Sequence, residues 1–171
     1  KTKGEKKMKN KKVLHMVQGA AIAAIYVILV VLFNYWSFGP IQFRIAEALT
    51  ILPFFTPAAI PGLFVGCILA NLLGGAIPAD IVFGSLATLI GALGSYALRK
   101  HKWLVPLPPI AANTLIVPFI LKFGYGAEEA IPYMMLTVGL GEVIVCAVIG
   151  LVFLHALSPL KHRIFGASPS C

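Results

Sequence analysis

The chain has 171 residues, of which 59% are hydrophobic and 12% are charged, and its mean hydropathy is +0.92. Soluble domains are about 45–50% apolar and about 25% charged, so this composition excludes a soluble globular fold and predicts an integral membrane protein. The formal net charge is +8, but seven of the 14 basic residues lie within the first 12 positions, directly before an apolar run. Basic residues in that position hold the N-terminus in the cytoplasm and argue against a nucleic-acid partner.

The first predicted transmembrane helix follows a basic cytoplasmic segment of residues 1–12. It covers residues 13–33, and 21 residues at a rise of about 1.5 Å each are long enough for a hydrocarbon core of about 30 Å. Residues 44–73 are ambiguous, because three prolines between positions 53 and 61 fit either one kinked helix or two helices.

The distribution of charge decides between these two alternatives. The basic residues in 99–102 should face the cytoplasm like the N-terminus, which requires an even number of crossings in between and therefore two helices in 44–73. The remaining helices are predicted at 80–98, 106–122 and 129–157, followed by a cytoplasmic tail of 158–171. The predicted fold is an all-α integral membrane protein with six transmembrane helices in one domain, 13–157, and both termini in the cytoplasm.

The second predicted helix, at about residues 44–55, is short. Twelve residues reach only about 18 Å, so we expect this helix to end inside the membrane, with its proline turn buried against neighbouring helices. Irregular backbone at that depth survives only where protein or a watery cavity satisfies its polar groups. The sequence therefore predicts a cavity beside the start of this helix.

Polar residues are rare in the predicted helices, and six of them are candidate ligand-binding residues. A charged side chain near the bilayer centre costs about 2.5–3.5 kcal/mol on insertion scales, so such residues persist mainly where they pair or bind something. Four of the six point to the outer half of the membrane in this arrangement, and we expect all six to converge on one pocket. The six residues are Arg44, Glu47, Asn71, Asp80, Asn113 and Glu142.

Simpler interpretations exist for some of these residues. Arg44 and Glu47 are three residues apart on one helix and would form an internal salt bridge. Asp80 follows a proline by two positions and would cap a helix. Glu142 has no basic residue within two turns on its own helix, so its partner must come from another helix or from a ligand. Carboxylates accept two parallel hydrogen bonds, which suits a ligand with several N–H donors, such as the amidine edge of a purine.

Aromatic and small residues indicate two further surfaces. Trp36 and Phe43 lie between the first two predicted helices and would close over a flat ring. Aromatic residues at the level of the lipid headgroups also anchor helices in the membrane, which is the simpler interpretation. Ala20 and Ala24 allow close helix approach, either inside the bundle or against another membrane subunit. The cysteines and histidines show no metal-ligand spacing, and no motif for ATP hydrolysis or acyl transfer is present, so neither a metal site nor catalysis is predicted.

Several segments resemble one membrane-protein family. They include Ile41–Thr50 (IQFRIAEALT), Leu52–Gly62 (LPFFTPAAIPG), Cys67–Gly75 (CILANLLGG), Asp80–Gly84 (DIVFG), Leu107–Asn113 (LPPIAAN) and Gly139–Glu142 (GLGE). Together they resemble the queuosine-precursor transporter family over roughly residues 15–157. Members of that family are similar to the substrate-binding S-components of energy-coupling factor transporters, which are six-helix membrane proteins with both termini in the cytoplasm.

The resemblance implies a function and a set of partners. It implies a non-enzymatic specificity subunit in the cell membrane of a bacterium, which captures a 7-deazaguanine precursor of queuosine from the outer side. Such a subunit has no cofactor of its own, because two cytoplasmic ATPases supply the energy through a transmembrane coupling subunit. The resemblance places part of the docking surface for that subunit at Ala20 and Ala24.

Three other functions stay open on the sequence alone. An S-component of this kind would also suit another flat heterocycle, such as a pterin or a different purine. An intramembrane enzyme would use Glu47, Asp80 or Glu142 as acid or base. An assembly subunit without a ligand would use the same polar residues only to pair with one another.

Overall fold

The computed structural model describes residues 3–33 and 44–160, with side chains from residue 11 onward in the first of these segments. Every element in the described part is helical. We number the helices α1 (Lys3–Leu32), α2 (Ile45–Phe54), α3 (Ala59–Leu73), α4 (Asp80–Ala97), α5 (Leu107–Gly124) and α6 (Ile131–Leu160). The helix α2 is a 3₁₀ helix, and α4, α5 and α6 each contain a π-helical stretch.

The lengths of these helices support a multi-pass membrane protein. Four stretches are long and apolar enough to cross a bilayer: Lys11–Leu32 of α1 and the whole of α4, α5 and α6. The helices α2 and α3 are shorter, with 10 and 15 residues, and are also apolar. The predicted count of six helices, with a break inside 44–73, is therefore confirmed in the described residues. The orientation of the termini stays a prediction.

Helix boundaries differ from the predicted ones by a few residues. The first helix runs back to Lys3, so the predicted division between residues 12 and 13 falls within one continuous helix. The last helix starts at Ile131 rather than 129 and continues to Leu160. These shifts are expected, because hydropathy locates the apolar centre of a helix and carries little information about its ends.

The short helix α2 has a winding that the sequence did not predict. Glu47 N–H donates to the carbonyl of Arg44 at 2.8 Å, and the next turns follow the same three-residue pattern. Pro53 lies inside the helix and is fully buried, and a proline ring clashes with the carbonyl four residues back in an α-helix. Side chains three residues apart eclipse one another in a 3₁₀ helix, so Arg44, Glu47 and Thr50 share one face.

Glycines allow α1 and α3 to pack with their backbones in close contact. A Cβ added at Gly62 would lie 2.6 Å from the carbonyl oxygen of Gly19, and one at Gly66 would lie 3.0 Å from the Cβ of Tyr26. Small residues at such crossings let helices approach closely in membranes. The approach brings Tyr26, which is 1% exposed, into the interior of the bundle.

A second close contact joins α4 to α5. Cβ atoms added at Gly91 and Gly94 would lie within 3 Å of Pro109 and Pro108, which open α5. The Ser95 hydroxyl also donates to the carbonyl of Val105 at 2.8 Å. These contacts hold α4 and α5 together, so that the buried faces of both helices line the interior of the bundle.

We expect Gly62→Ala to destabilise the protein, because its methyl group would meet backbone atoms of α1 that have no room to move. Overpacking of this kind costs about 1–3 kcal/mol. Thermal unfolding in detergent measures the effect, and Leu69→Ala, at a half-exposed position on the same helix, is the matched control. An unchanged Tm for Gly62→Ala would show that the α1–α3 contact is looser than described.

Candidate ligand-binding site

All six polar candidates from the helices lie in the interior of the bundle. Their relative exposure ranges from 0% for two of them to 5%: Arg44, Glu47, Asn71, Asp80, Asn113 and Glu142. They come from five different helices, α2 to α6, so their convergence is a property of the tertiary fold. Their burial together is established by the structure, and their role in ligand binding stays a prediction. Trp36 and Phe43 lie outside the described residues.

Arg44 is held by residues of α3 and α4. Its Nη2 donates to Asn71 Oδ1 at 2.9 Å and lies 4.0 Å from Asp80 Oδ1. Asn71 Nδ2 in turn donates to the carbonyl of Asp80 at 3.2 Å, and the Tyr125 hydroxyl donates to Asp80 Oδ2 at 3.1 Å. The alternative of an internal salt bridge between Arg44 and Glu47 is wrong, because the arginine is paired with Asp80 of α4 instead.

The capping role considered for Asp80 is also wrong. The first turn of α4 has no side-chain capping hydrogen bond, and the carboxylate of Asp80 faces the arginine instead. Residues Asp80–Gly84 wind as a π-helix, a feature that is frequent at functional sites. A Cβ at Gly84 would lie 2.6 Å from Asp80 Oδ1 and 3.7 Å from Arg44 Nη1, so only glycine leaves room for the ion pair.

Glu47 is fixed by donors from two other helices. Its Oε1 accepts hydrogen bonds from the Tyr26 hydroxyl at 2.5 Å and from Thr88 Oγ1 at 2.9 Å. Thr50 Oγ1 donates to the Glu47 carbonyl at 2.6 Å and secures the local backbone. The second carboxylate oxygen, Oε2, is buried without a hydrogen-bond partner among the described residues. One oxygen of this carboxylate is therefore buried in the bundle without a partner, whereas the other is held by two hydroxyl groups.

Glu142 lies where α6 changes from α to π winding, directly before the stretch Val143–Ile149. Cys146 Sγ contacts Glu142 Oε2 at 3.2 Å and the Glu47 carbonyl at 3.5 Å, which joins the two glutamates through one thiol. Glu142 also interacts electrostatically with Glu47 and Arg44, and the side-chain amide of Asn113 lies near its carboxylate. The six residues therefore form one cluster rather than separate pairs.

Several buried polar atoms of this region have no hydrogen-bond partner among the described residues. They are Arg44 Nη1, Glu47 Oε2, Ser85 Oγ, Thr114 Oγ1 and both amide atoms of Asn113. Most buried polar groups in proteins are paired, and leaving one unpaired costs about 1–3 kcal/mol. The set contains donors, acceptors and groups that do both. It is therefore suited to a ligand whose edge alternates N–H and C=O groups.

Four polar residues around this cluster were not predicted from the sequence. Tyr26 and Thr88 bind Glu47, Tyr125 binds Asp80, and Ser85 is buried beside them in α4. The sequence contained a signal for α4, since Ser85 and Thr88 each follow directly after a small residue, Gly84 and Ala87. The cysteines Cys67 and Cys146 are fully buried, and Cys146 is also a hydrogen-bonding member of the cluster.

Ala20 and Ala24 are exposed on the outside of α1. Packing inside the bundle is therefore wrong for these two alanines, and their neighbours Gly19 and Ala23 are the buried positions. Ala20 lines a groove of about 500 Å³ between α1 and the start of α3, together with His15, Met16, Gly19, Ala23, Pro57, Ala58, Pro61, Gly62 and Val65. Within the described residues no group of three or more His, Cys, Asp or Glu is placed to hold a metal ion.

Six helices around a polar interior define a multi-pass membrane protein of the kind that handles small solutes. A family model described as "QueT transporter" matches residues 16–159, and the chain belongs to this transporter family. It is 38% identical over 85 residues to the queuosine precursor transporter QueT of Lactococcus lactis subsp. cremoris strain MG1363. That alignment covers 48% of this chain and 50% of the relative. No solved structure matches the chain.

We expect Arg44 and Asp80 to be energetically coupled. Each of the changes Arg44→Gln and Asp80→Asn leaves a buried partner unpaired, so each should lower the free energy of unfolding by about 1–3 kcal/mol. The double variant should lose less than the sum, by a coupling energy of about 1 kcal/mol or more. Unfolding of the four proteins in detergent measures the cycle. Strict additivity would show that the two side chains do not interact.

Proposed function

We propose that this protein is the substrate-specificity subunit of an energy-coupling factor transporter and binds a 7-deazaguanine precursor of queuosine from the outer side of the membrane. The observation that carries the proposal is the set of buried, unpaired hydrogen-bonding atoms on Arg44, Glu47 and Asn113. Membership of the QueT transporter family and the name of the Lactococcus relative support the choice of ligand.

The hydrogen-bonding groups of a deazaguanine complement these atoms. Its 2-amino group and the adjacent ring N–H are parallel donors, and a carboxylate such as Glu142 or Glu47 accepts such a pair. Its ring carbonyl is an acceptor, for which Arg44 Nη1 and the amide of Asn113 are free donors. Asn71 and Asp80 act through the arginine that they hold. We further propose that Trp36 and Phe43 stack on the ring.

Energy for uptake comes from elsewhere in the assembly. We propose that two cytoplasmic ATPases act through a transmembrane coupling subunit, and that this chain itself needs no cofactor. The coupling subunit would dock at the exposed alanines Ala20 and Ala24, beside the groove between α1 and α3. Small exposed residues permit the close helix contact that such docking requires.

The unpaired atoms also help to decide between the proposed function and its alternatives. A ligand-free assembly subunit would be expected to pair its buried polar residues internally, yet Arg44 Nη1 and Glu47 Oε2 lack a partner in the described part of the chain. A different flat heterocycle is the second candidate ligand, since the glutamates would accept the amidine edge of a pterin or another purine equally well. The binding test therefore includes guanine, as another purine, and riboflavin, as another flat heterocycle.

We expect purified protein to bind a 7-deazaguanine with a Kd below about 1 µM, or roughly −8 kcal/mol. Calorimetric titration in detergent measures this, and an analogue without the 2-amino group should bind at least about tenfold more weakly, because a buried acceptor would then be unpaired. Glu142→Gln should show the same loss, whereas Glu129→Gln, the same change on an exposed residue, should not. Equal binding of the analogue would refute the proposed pairing.

Asn113→Leu separates a binding role from a structural one. Because the amide of Asn113 lies near the Glu142 carboxylate but forms no hydrogen bond of standard geometry, an apolar side chain of similar volume should change the Tm little. Deazaguanine affinity should fall by about tenfold or more, which corresponds to ~1.4 kcal/mol. If Asn113→Leu lowers the Tm and leaves affinity intact, the residue is structural.

Docking can be tested apart from binding. The exposed changes Ala20→Leu and Ala24→Leu should leave Tm and deazaguanine affinity unchanged but reduce copurification with the coupling subunit and uptake into cells by about tenfold or more. Ala111→Leu, at an exposed alanine on α5, is the matched control. Normal uptake by the α1 variants would place the docking surface elsewhere.

A further inference from the structure

The boundary between α4 and α5, which we call the α4–α5 seam, is close at one end and open at the other. At the close end a Cβ added at Gly91 would lie 2.8 Å from the Cα of Pro109. At the other end, where α4 begins and α5 ends, a groove of about 420 Å³ lies between the helices, lined by Ala79, Phe83 and residues within 115–124. The two ends of the seam therefore differ in how firmly they are packed.

Both helices depart from regular α winding along the open part of the seam. Asp80–Gly84 of α4 and Ile120–Gly124 of α5 are π-helical, and such turns are frequent at functional sites. The adjoining loops contain Gly75 and Gly126, with φ of +73° and +69°, a left-handed conformation that glycine adopts without steric penalty. The open part of the seam therefore has backbone features that packing alone does not require.

The side chain of Tyr125 closes the open end of the seam. Its hydroxyl donates to Asp80 Oδ2 at 3.1 Å and accepts from the N–H of Ile77 at 3.4 Å. Both hydrogen bonds that cross the seam at this end, among the described residues, involve this hydroxyl. Tyr125 is 43% exposed and Asp80 is 5% exposed, so the tyrosine connects the surface to the buried ion pair.

The loop that follows Tyr125 is fastened to α5. Lys122 Nζ donates to the carbonyls of Glu128 and Glu129 at 3.2 Å each. The N–H of Ala127 donates to the carbonyl of Leu121 at 3.0 Å. These bonds lie on the α5 side of the seam and would survive its opening. The tyrosine would therefore move together with the end of α5.

We propose that the ligand enters the polar interior through the open part of the α4–α5 seam, and that Tyr125 is the latch that holds this route closed. The inference rests on the proposed function and adds the entry route to it. Asp80, which the latch contacts, is paired with Arg44. The buried atoms Arg44 Nη1 and Ser85 Oγ have no hydrogen-bond partner among the described residues, so a ligand that passes the latch meets unpaired polar groups.

A latch of this kind controls rates more than affinity. Its hydrogen bonds are made by a half-exposed hydroxyl, so water can replace them when the seam opens. The seam would have to open both for entry and for release. Removing the latch raises the population of the open state with and without ligand, so both rate constants rise and their ratio changes little.

The first test is Tyr125→Phe, which removes the hydroxyl and keeps the ring. Stopped-flow tryptophan fluorescence of the full chain in detergent follows association and dissociation of 7-aminomethyl-7-deazaguanine and of 7-cyano-7-deazaguanine. Both rate constants should rise by at least about threefold, whereas Kd should change by less than about twofold. Tyr133→Phe, the same change at an exposed tyrosine of α6, should leave both rate constants unchanged.

The second test closes the seam covalently. The Cβ of Ala79 lies 3.8 Å from a Cβ built at Gly124, and disulfides join Cβ atoms about 3.5–4.5 Å apart. The oxidised double variant Ala79→Cys/Gly124→Cys should bind and release both compounds at least about tenfold more slowly, and a reductant should restore the rates. The single-cysteine variants are the matched controls. This comparison uses one protein in two redox states, so it does not depend on the folding of Tyr125→Phe.

The possible failures can be told apart. Unchanged rates in the fully oxidised double variant would place the entry route elsewhere and overturn the inference. A faster dissociation of ligand from Tyr125→Phe with unchanged association would show that the hydroxyl stabilises bound ligand, which would overturn its role as a latch. A lower Tm of this variant with both rate constants unchanged would make the tyrosine structural. Binding of neither compound by the folded native chain would contradict the proposed function itself.

Discussion

The need to neutralise Arg44 inside an apolar bundle is the constraint on which the rest of the interior depends. A charged side chain at this depth is tolerated only with partners, and the partners come from two other helices, Asn71 of α3 and Asp80 of α4. The ion pair requires a glycine at position 84, where a methyl group would meet Asp80 Oδ1. One arginine therefore determines how α2, α3 and the π-helical start of α4 fit together.

The 3₁₀ winding of α2 determines which side chains lie on the same face as Arg44. It places Glu47 and Thr50 on the face that begins with Arg44, so Glu47 reaches the hydroxyl groups of Tyr26 and Thr88. The glycine contacts between α1 and α3 let Tyr26 lie in the interior of the bundle, where its hydroxyl reaches Glu47. The interior still leaves several polar atoms unpaired, and this costs stability. Functional sites commonly carry such a cost, since the unpaired groups are ready for a ligand.

Local and long-range features of this chain were predictable to different degrees. The number of helices, the break inside 44–73 and the buried Pro53 followed from apolar length, charge and proline positions, which are local properties. The internal salt bridge of Arg44 with Glu47 and the capping role of Asp80 were wrong, because both assumed partners nearby in sequence. The inward position considered for Ala20 and Ala24 was also wrong. The buried positions on this side of α1 are the preceding residues, Gly19 and Ala23.

The sequence by itself determined that this is a membrane protein of six helices and which polar residues its interior must accommodate. Hydropathy is a sum over neighbouring residues, and a buried charge is conspicuous in any apolar segment. Only the tertiary structure decided which partner each charge has and which atoms remain unpaired. Hydrogen bonds depend on differences of a few tenths of an ångström between groups up to 99 positions apart, as between the thiol of Cys146 and the backbone carbonyl of Glu47. Such distances are set by helix packing, which no single helix encodes.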